Sequence, residues 1–214
     1  AHRFACVAAA LAGTCAASGQ VRITEWMYNG TAEFIEFTNF GPGPVDFTGW
    51  TFEDSDFGTP DSNPFDISGF GIVAPGETVV LTEAPEADFR ADWGLAASVK
   101  IVGEMGVLVG NNIGRADSLI LIDASSNVVD RLDYGDQVFV GSIRTNAISG
   151  VPITAAALGA NDVFQWRLSV IGDEYNTYAS LTGDVGNPGY YVPAPGVAGV
   201  FALAGLAGLR RRRA

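Results

Sequence analysis

The chain is written in short runs of β-branched and aromatic residues, each four to eight long and closed by Gly, Pro, Asn or Asp, and no long amphipathic helical period interrupts them. That pattern restricts the fold to antiparallel β architecture, because such runs bury one face of a strand and are too brief for a stable helix. Val21 to Tyr28 alternates, which predicts Val21, Ile23 and Met27 on one face together with Glu25. Asn29-Gly30 reads as a turn into Glu33-Phe-Ile-Glu-Phe37. Extended structure resumes over 45–52 and again over 77–83, with Pro75-Gly76 as a turn between strands. Residues 118–123 and 128–134 flank Ser125-Ser-Asn127 as a hairpin. The last strands are expected at 142–145 and 164–169. Residues 146–162 are rich in small and turn residues and are expected to form a surface excursion. Residues 84–93 hold the one plausible short helix. The sum is an all-β sandwich.

The two ends of the sequence differ from this body. Ala1-His2-Arg3 is a short basic start, Phe4 to Leu11 is apolar, and small residues continue to Ala17. This order predicts a secretory signal helix over 1–19, cleaved within 17–19. At the other end Pro193-Ala194-Pro195 precedes fourteen uncharged residues, 196–209, and then Arg210, Arg211, Arg212 and Arg213. As a helix that run spans roughly 21 Å, short against a bilayer core of about 30 Å. The arginines would hold it on the cytoplasmic side. The expected organisation is therefore 1–19 signal, 20–189 domain, 190–195 stalk and Pro-Ala-Pro motif, and 196–214 hydrophobic helix with its arginine cluster.

Removing both ends sharpens the composition. His2, Cys6 and Cys15 are the sole histidine and cysteines, and all lie in the expected leader. The remaining domain has neither residue type, which excludes Cys/His and Ser/His/Asp catalysis, a disulfide framework and ordinary zinc ligation. Arg3 and the four tail arginines leave as well, so seven of the twelve basic residues face all twenty-four acidic ones, a net charge of −17. Such a surface repels nucleic acid phosphates and anionic lipid, so no nucleic-acid partner is expected.

Three sets of side chains are candidates for function. Asp54, Asp56, Asp61 and Asn63 supply oxygen ligands of the kind calcium takes, on a loop able to converge them, but without EF-hand spacing. Asp130, Asp133 and Asp136 form a second such group. Phe57, Phe65 and Phe70 lie in the same long 53–70 loop, where they either stack on sugar rings or pin the loop to the sandwich. Glu25 and Glu36 sit inside apolar strands and are expected to meet backbone donors or edge water. Carboxylate pairs are the one catalytic chemistry left open, as in glycoside hydrolysis.

Two resemblances add to this reading. The tail, Pro-x-Pro followed by a short apolar helix and an arginine cluster, resembles the PEP-CTERM sorting signal, with Ala194 where that motif carries glutamate. It implies an exported bacterial protein, transiently anchored in the membrane and processed by an exosortase-type enzyme, on an exopolysaccharide-rich surface. Ile23-Thr-Glu25-Trp-Met-Tyr-Asn29, Glu33-Phe-Ile-Glu36-Phe-Thr-Asn39 and Val45-Asp46-Phe-Thr-Gly49-Trp50 resemble the opening of a lamin-tail domain. The likeness continues through Ile72 to Leu81, Asp117 to Ala124, Val128 to Gly135, Ser142-Ile-Arg and Gly186-Asn-Pro188-Gly189. It implies an immunoglobulin-like sandwich without enzymatic activity, used as a surface or adhesive module. The expected function is an exported, non-catalytic surface or matrix protein. A calcium-dependent adhesion or carbohydrate-binding module and a secreted carboxylate hydrolase are the alternatives.

Overall fold

The structure, a computed structural model, describes residues 21–55, 57, 64–106 and 112–192. The expected leader, Pro193-Ala194-Pro195 and the segment 196–214 lie outside the described residues, as do Asp56, Asp61 and Asn63.

In chain order the elements are β1 (Val21–Met27), β2 (Phe34–Asn39), β3 (Val45–Asp46), β4 (Thr51–Asp54), β5 (Phe65–Asp66), β6 (Ile72–Val73) and β7 (Thr78–Thr82). Helix α1 (Glu86–Trp93) follows, then β8 (Lys100–Val102), β9 (Asp117–Ile122) and β10 (Val128–Tyr134). The described chain finishes with β11 (Gly150–Pro152), β12 (Trp166–Leu168), β13 (Tyr178–Ala179) and β14 (Val185–Gly186). One sheet runs β12-β11-β1-β2-β7-β8 and the other β10-β9-β4-β5, with two-stranded ribbons β13-β14 and β3-β6 at the margins. All pairings are antiparallel except β7 with β8. The result is the all-β sandwich that the strand pattern implied, immunoglobulin-like as the lamin-tail resemblance implied.

The main core lies between the sheets and is built on Trp26, Ile35, Phe37, Phe52, Leu121 and Tyr134, all fully enclosed. Trp26 and Tyr134 meet across it with ring centroids 4.1 Å apart. The six-stranded sheet also buries its other face. There Met27, Phe34 and Val80 take the Phe89 and Trp93 rings of α1. These two rings are four residues apart and so share one helix face. The helix starts after Pro85, carries Glu86 and Asp88 in its first turn and ends at Gly94 in the left-handed conformation, which suits its dipole and its terminus.

A bulge in β1 explains how one strand serves two cores. Ile23 pairs with Phe37 but Glu25 pairs with Glu36, so Thr24 is extra. Before the bulge Val21 and Ile23 face the main core, and after it Trp26 and Tyr28 do, while Met27 joins the opposite cluster. The strict alternation expected for this strand, with Val21, Ile23 and Met27 together, is corrected by that single residue.

Two other expectations change. Residues 146–162 are not a surface excursion throughout, because β11 lies within them, fully buried between β1 and β12. The small residue is there for close approach: a Cβ at Gly150 would stand 3.1 Å from Trp26 Nε1 and 2.8 Å from the end of Ile143. Residues 142–145 are irregular, a bend followed by chain without regular structure, instead of a strand. No helix among the described residues is long and apolar enough to cross a membrane.

Candidate functional site

The outer face of the six-stranded sheet is half apolar and half polar. On its polar half β1, β2 and β7 present Thr24, Glu25, Glu36, Thr38 and Thr78, all buried. The hydroxyls form a ladder: Thr24 with Thr38 at 3.0 Å and Thr38 with Thr78 at 2.9 Å. Glu36 accepts from Thr24 Oγ1 at 2.6 Å and, on its other oxygen, from the Gly189 backbone N–H at 2.8 Å. Glu25 Oε1 accepts from Ser149 Oγ and from the Asn187 backbone N–H, the latter at 2.8 Å. Burial pushes the Glu25 carboxyl up to about 7, and burial together with Glu25 holds Glu36 well above the usual glutamate range. The two acids therefore meet backbone donors, as their placement in apolar strands suggested. The donors come from Gly186-Asn-Pro188-Gly189.

A second acidic group sits where β2 starts and β7 ends. With its nitrogen turned toward the two acids, the orientation that satisfies both ends of the amide, Asn112 donates to Glu33 Oε2 at 2.7 Å and to Glu83 Oε2 at 3.2 Å. Burial first, and then the neighbouring Glu83, push the Glu33 carboxyl up to about 9. Asp54 lies close enough to add to that shift. Among the described residues no group of three or more acids is arranged to hold a metal ion. Of the proposed calcium ligands only Asp54 is described, at the end of β4. The other acidic group is dispersed. Asp130 accepts from the Ile23 and Arg131 N–H groups, Asp133 pairs with Arg131, and Asp136 pairs with Arg115.

The three loop phenylalanines separate. Phe70 is 2 % exposed and stands edge-on to Phe37 and Phe47, so it pins the loop and offers no face for stacking. Phe65 is half-buried against the main core. Phe57 is 40 % exposed and meets Phe139, which meets Phe164, at centroid separations of 5.8 and 6.5 Å. This exposed row, extended by Val138 and Val140, is the apolar surface that sequence reading missed. Its available signal was the run Val138-Phe139-Val140, bounded by Gly135 and Gly141. A second shallow feature, a groove of about 340 Å³, lies on the outer face of the four-stranded sheet between Thr51, Ile120, Ile122 and Arg131.

Chemically these arrangements bind and brace. Glu25 and Glu36 are enclosed, 2 % and 1 % exposed, whereas Glu83 of the second pair is half-buried. Comparison with known families agrees with the architecture. The Lamin Tail Domain family model matches residues 14–136, more than half of the chain and all of β1 to β10. No curated protein matches the chain.

Proposed function

The chain belongs to the lamin tail domain family, whose immunoglobulin-like fold is typically non-catalytic, and from that premise we propose that it is an exported surface or matrix protein. It presents the sandwich outside the cell and is sorted there by its PEP-CTERM-like tail, Pro193-Ala194-Pro195 with Arg210 to Arg213. The observation that carries this reading is the order of segments: a leader-like start, a domain that closes on itself by Tyr191, then Pro-x-Pro, an apolar run and arginines. An exosortase-type enzyme is the processing partner, and membrane contact through 196–209 is transient. The enclosure of Glu25 and Glu36 speaks against a carboxylate hydrolase built on that pair. Intact mass of the protein recovered from envelope and medium is the test. A species ending within 192–195 is expected, whereas a full-length form confined to the membrane fraction would reduce the tail to an anchor.

A second reading has its own observation. Phe57, Phe139 and Phe164 expose rings in one row beside the polar Asn161, Asp162 and Gln165, and sugar faces stack on such rings. It favours a carbohydrate-binding adhesion module acting on surface exopolysaccharide, with calcium through Asp54 and the 56–63 loop as its variant. Phe164→Ala should weaken binding to the native polysaccharide at least fivefold while leaving the melting temperature in place. Equal isotherms for both proteins would remove this reading.

A further inference from the structure

Residues 185–191 cross the polar half of the sheet's outer face as a strap. β14 opens it, bonded to Ala147 and Ser149 of the main chain at 2.9 and 2.8 Å. Gly186 lets it lie close, since a Cβ there would stand 2.9 Å from Glu25 Oε1 and 3.2 Å from the Trp93 ring. The Asn187 and Gly189 N–H groups then land on Glu25 and Glu36, and the Tyr191 N–H reaches Thr78 Oγ1 at 3.3 Å. Tyr191 ends the strap edge-on to Phe40, 5.2 Å between centroids.

The clamp that holds it is unusual in having no cation. Every group facing the two carboxyls can be named. β1, β2 and β7 present threonine hydroxyls, the segments before β11 and after β12 present Ser149 and Ser169, α1 presents the Trp93 ring, and the strap adds the Tyr190 N–H beside Glu36 to those of Asn187 and Gly189. The titratable neighbours are Asp173, Asp92 and Tyr178. Tyr178 donates to the Trp93 carbonyl, and Asp92 is taken up by Thr182. Arg167, which reaches this network through Asp173, pairs with Asp173 and Glu174. No lysine or arginine among the described residues donates to Glu25 or Glu36.

Two carboxyls in one dry network, without a countercharge, cannot both carry charge at low cost. We propose that residues 185–191 are a pH-operated strap, docked while Glu25 and Glu36 retain protons and lifted from the sheet when both ionise. The sign follows from linkage. In the lifted state both side chains are solvated and ionise in the ordinary glutamate range, whereas docking raises them. Docking therefore takes up protons and weakens as pH rises, from the ordinary glutamate value upward through about 7 for Glu25 and beyond it for Glu36. Lifting bares the threonine ladder and frees the chain beyond Val185.

The test is backbone hydrogen exchange of the intact protein between pH 5 and 9, corrected for the intrinsic rise in exchange. β9 serves as the internal standard. The opening constant at Asn187, Gly189 and Tyr191 should climb up to about tenfold per pH unit for each carboxyl that loses its proton on opening. Glu25→Gln isolates the charge, because both bonds to Glu25 fall on one oxygen, which the glutamine carbonyl can replace. That variant should lose one proton's share of the slope. A corrected wild-type profile that is flat, or a Glu25→Gln profile as steep as wild type, overturns the strap. Should the variant not fold, carbon-13 titration of the wild-type carboxyls decides. Raised midpoints at both support the proposal, and an ordinary glutamate midpoint at either refutes it.

Discussion

Replacing Gly135 by alanine should damage this domain more than any other single methyl group. Gly135 follows β10 at φ +130°, a backbone conformation that residues with a Cβ rarely hold. The added Cβ would lie 2.3 Å from Ala116 Cβ, 2.5 Å from Ala116 Cα and 3.0 Å from the Arg115 carbonyl oxygen. Since two of these atoms are main chain, no rotamer change relieves the overlap. Backbone strain contributes about 1–3 kcal/mol and forced displacement in a packed region about 1–3 kcal/mol more. A loss of about 2–6 kcal/mol follows, against a total stability of about 5–15 kcal/mol for a domain. Urea denaturation reads it as a lower midpoint at unchanged slope. The double variant Gly135→Ala/Ala116→Gly removes the 2.3 Å contact but leaves the 2.5 Å contact and the dihedral. It should recover less than half of the loss. A single-variant loss below about 1 kcal/mol, or full recovery in the double variant, would refute the reasoning.

Two further outcomes are expected. Asp130→Ala strips the buried Ile23 N–H of its acceptor at 2.8 Å and should cost about 1–3 kcal/mol in the same urea assay; an unchanged midpoint would show that the tie between β1 and β10 contributes nothing. Glu33 has its carboxyl raised to about 9, so its contribution is full below the unfolded glutamate value and disappears as pH rises through about 9. Glu33→Gln should flatten the decline of melting temperature between pH 5 and 9, and a decline as steep as wild type would contradict the assignment.

Much of the framework was legible in the sequence because it depends on local signals. The β9-β10 hairpin could be read from two apolar runs around Ser125-Ser-Asn127. Helix α1 could be read from the start signal at Thr82 or Pro85 ahead of it. What escaped reading depends on approach between distant segments. β11 is three residues long and contains Gly and Pro, so it carries no strand signature, yet it is needed to extend the sheet beside Trp26. The bulge at Thr24 leaves no mark in composition. Its presence is fixed by whether Trp26 or Met27 is wanted between the sheets, which is a property of the whole core. The same division holds for the candidate sites. Glu25 and Glu36 were conspicuous as acids within apolar strands, and backbone donors were the expected partners, but those donors lie more than 150 positions further along. Phe139 and Phe164 became a surface only when two remote turns met Phe57.

The bulge in β1 also fixes how the chain tolerates insertion and deletion. A strand addresses its two neighbouring layers by the parity of residue number, and the extra Thr24 switches that parity halfway along. Removing Thr24 itself would restore a regular strand with Ile23 and Trp26 still facing the main core and Met27 still opposite, whereas removing a residue on either side of the bulge, such as Arg22, would turn one half of the strand over. Substitutions here are graded in their effect, whereas a change in length acts all at once, and only at the bulge can the strand lose a residue without exchanging its two faces.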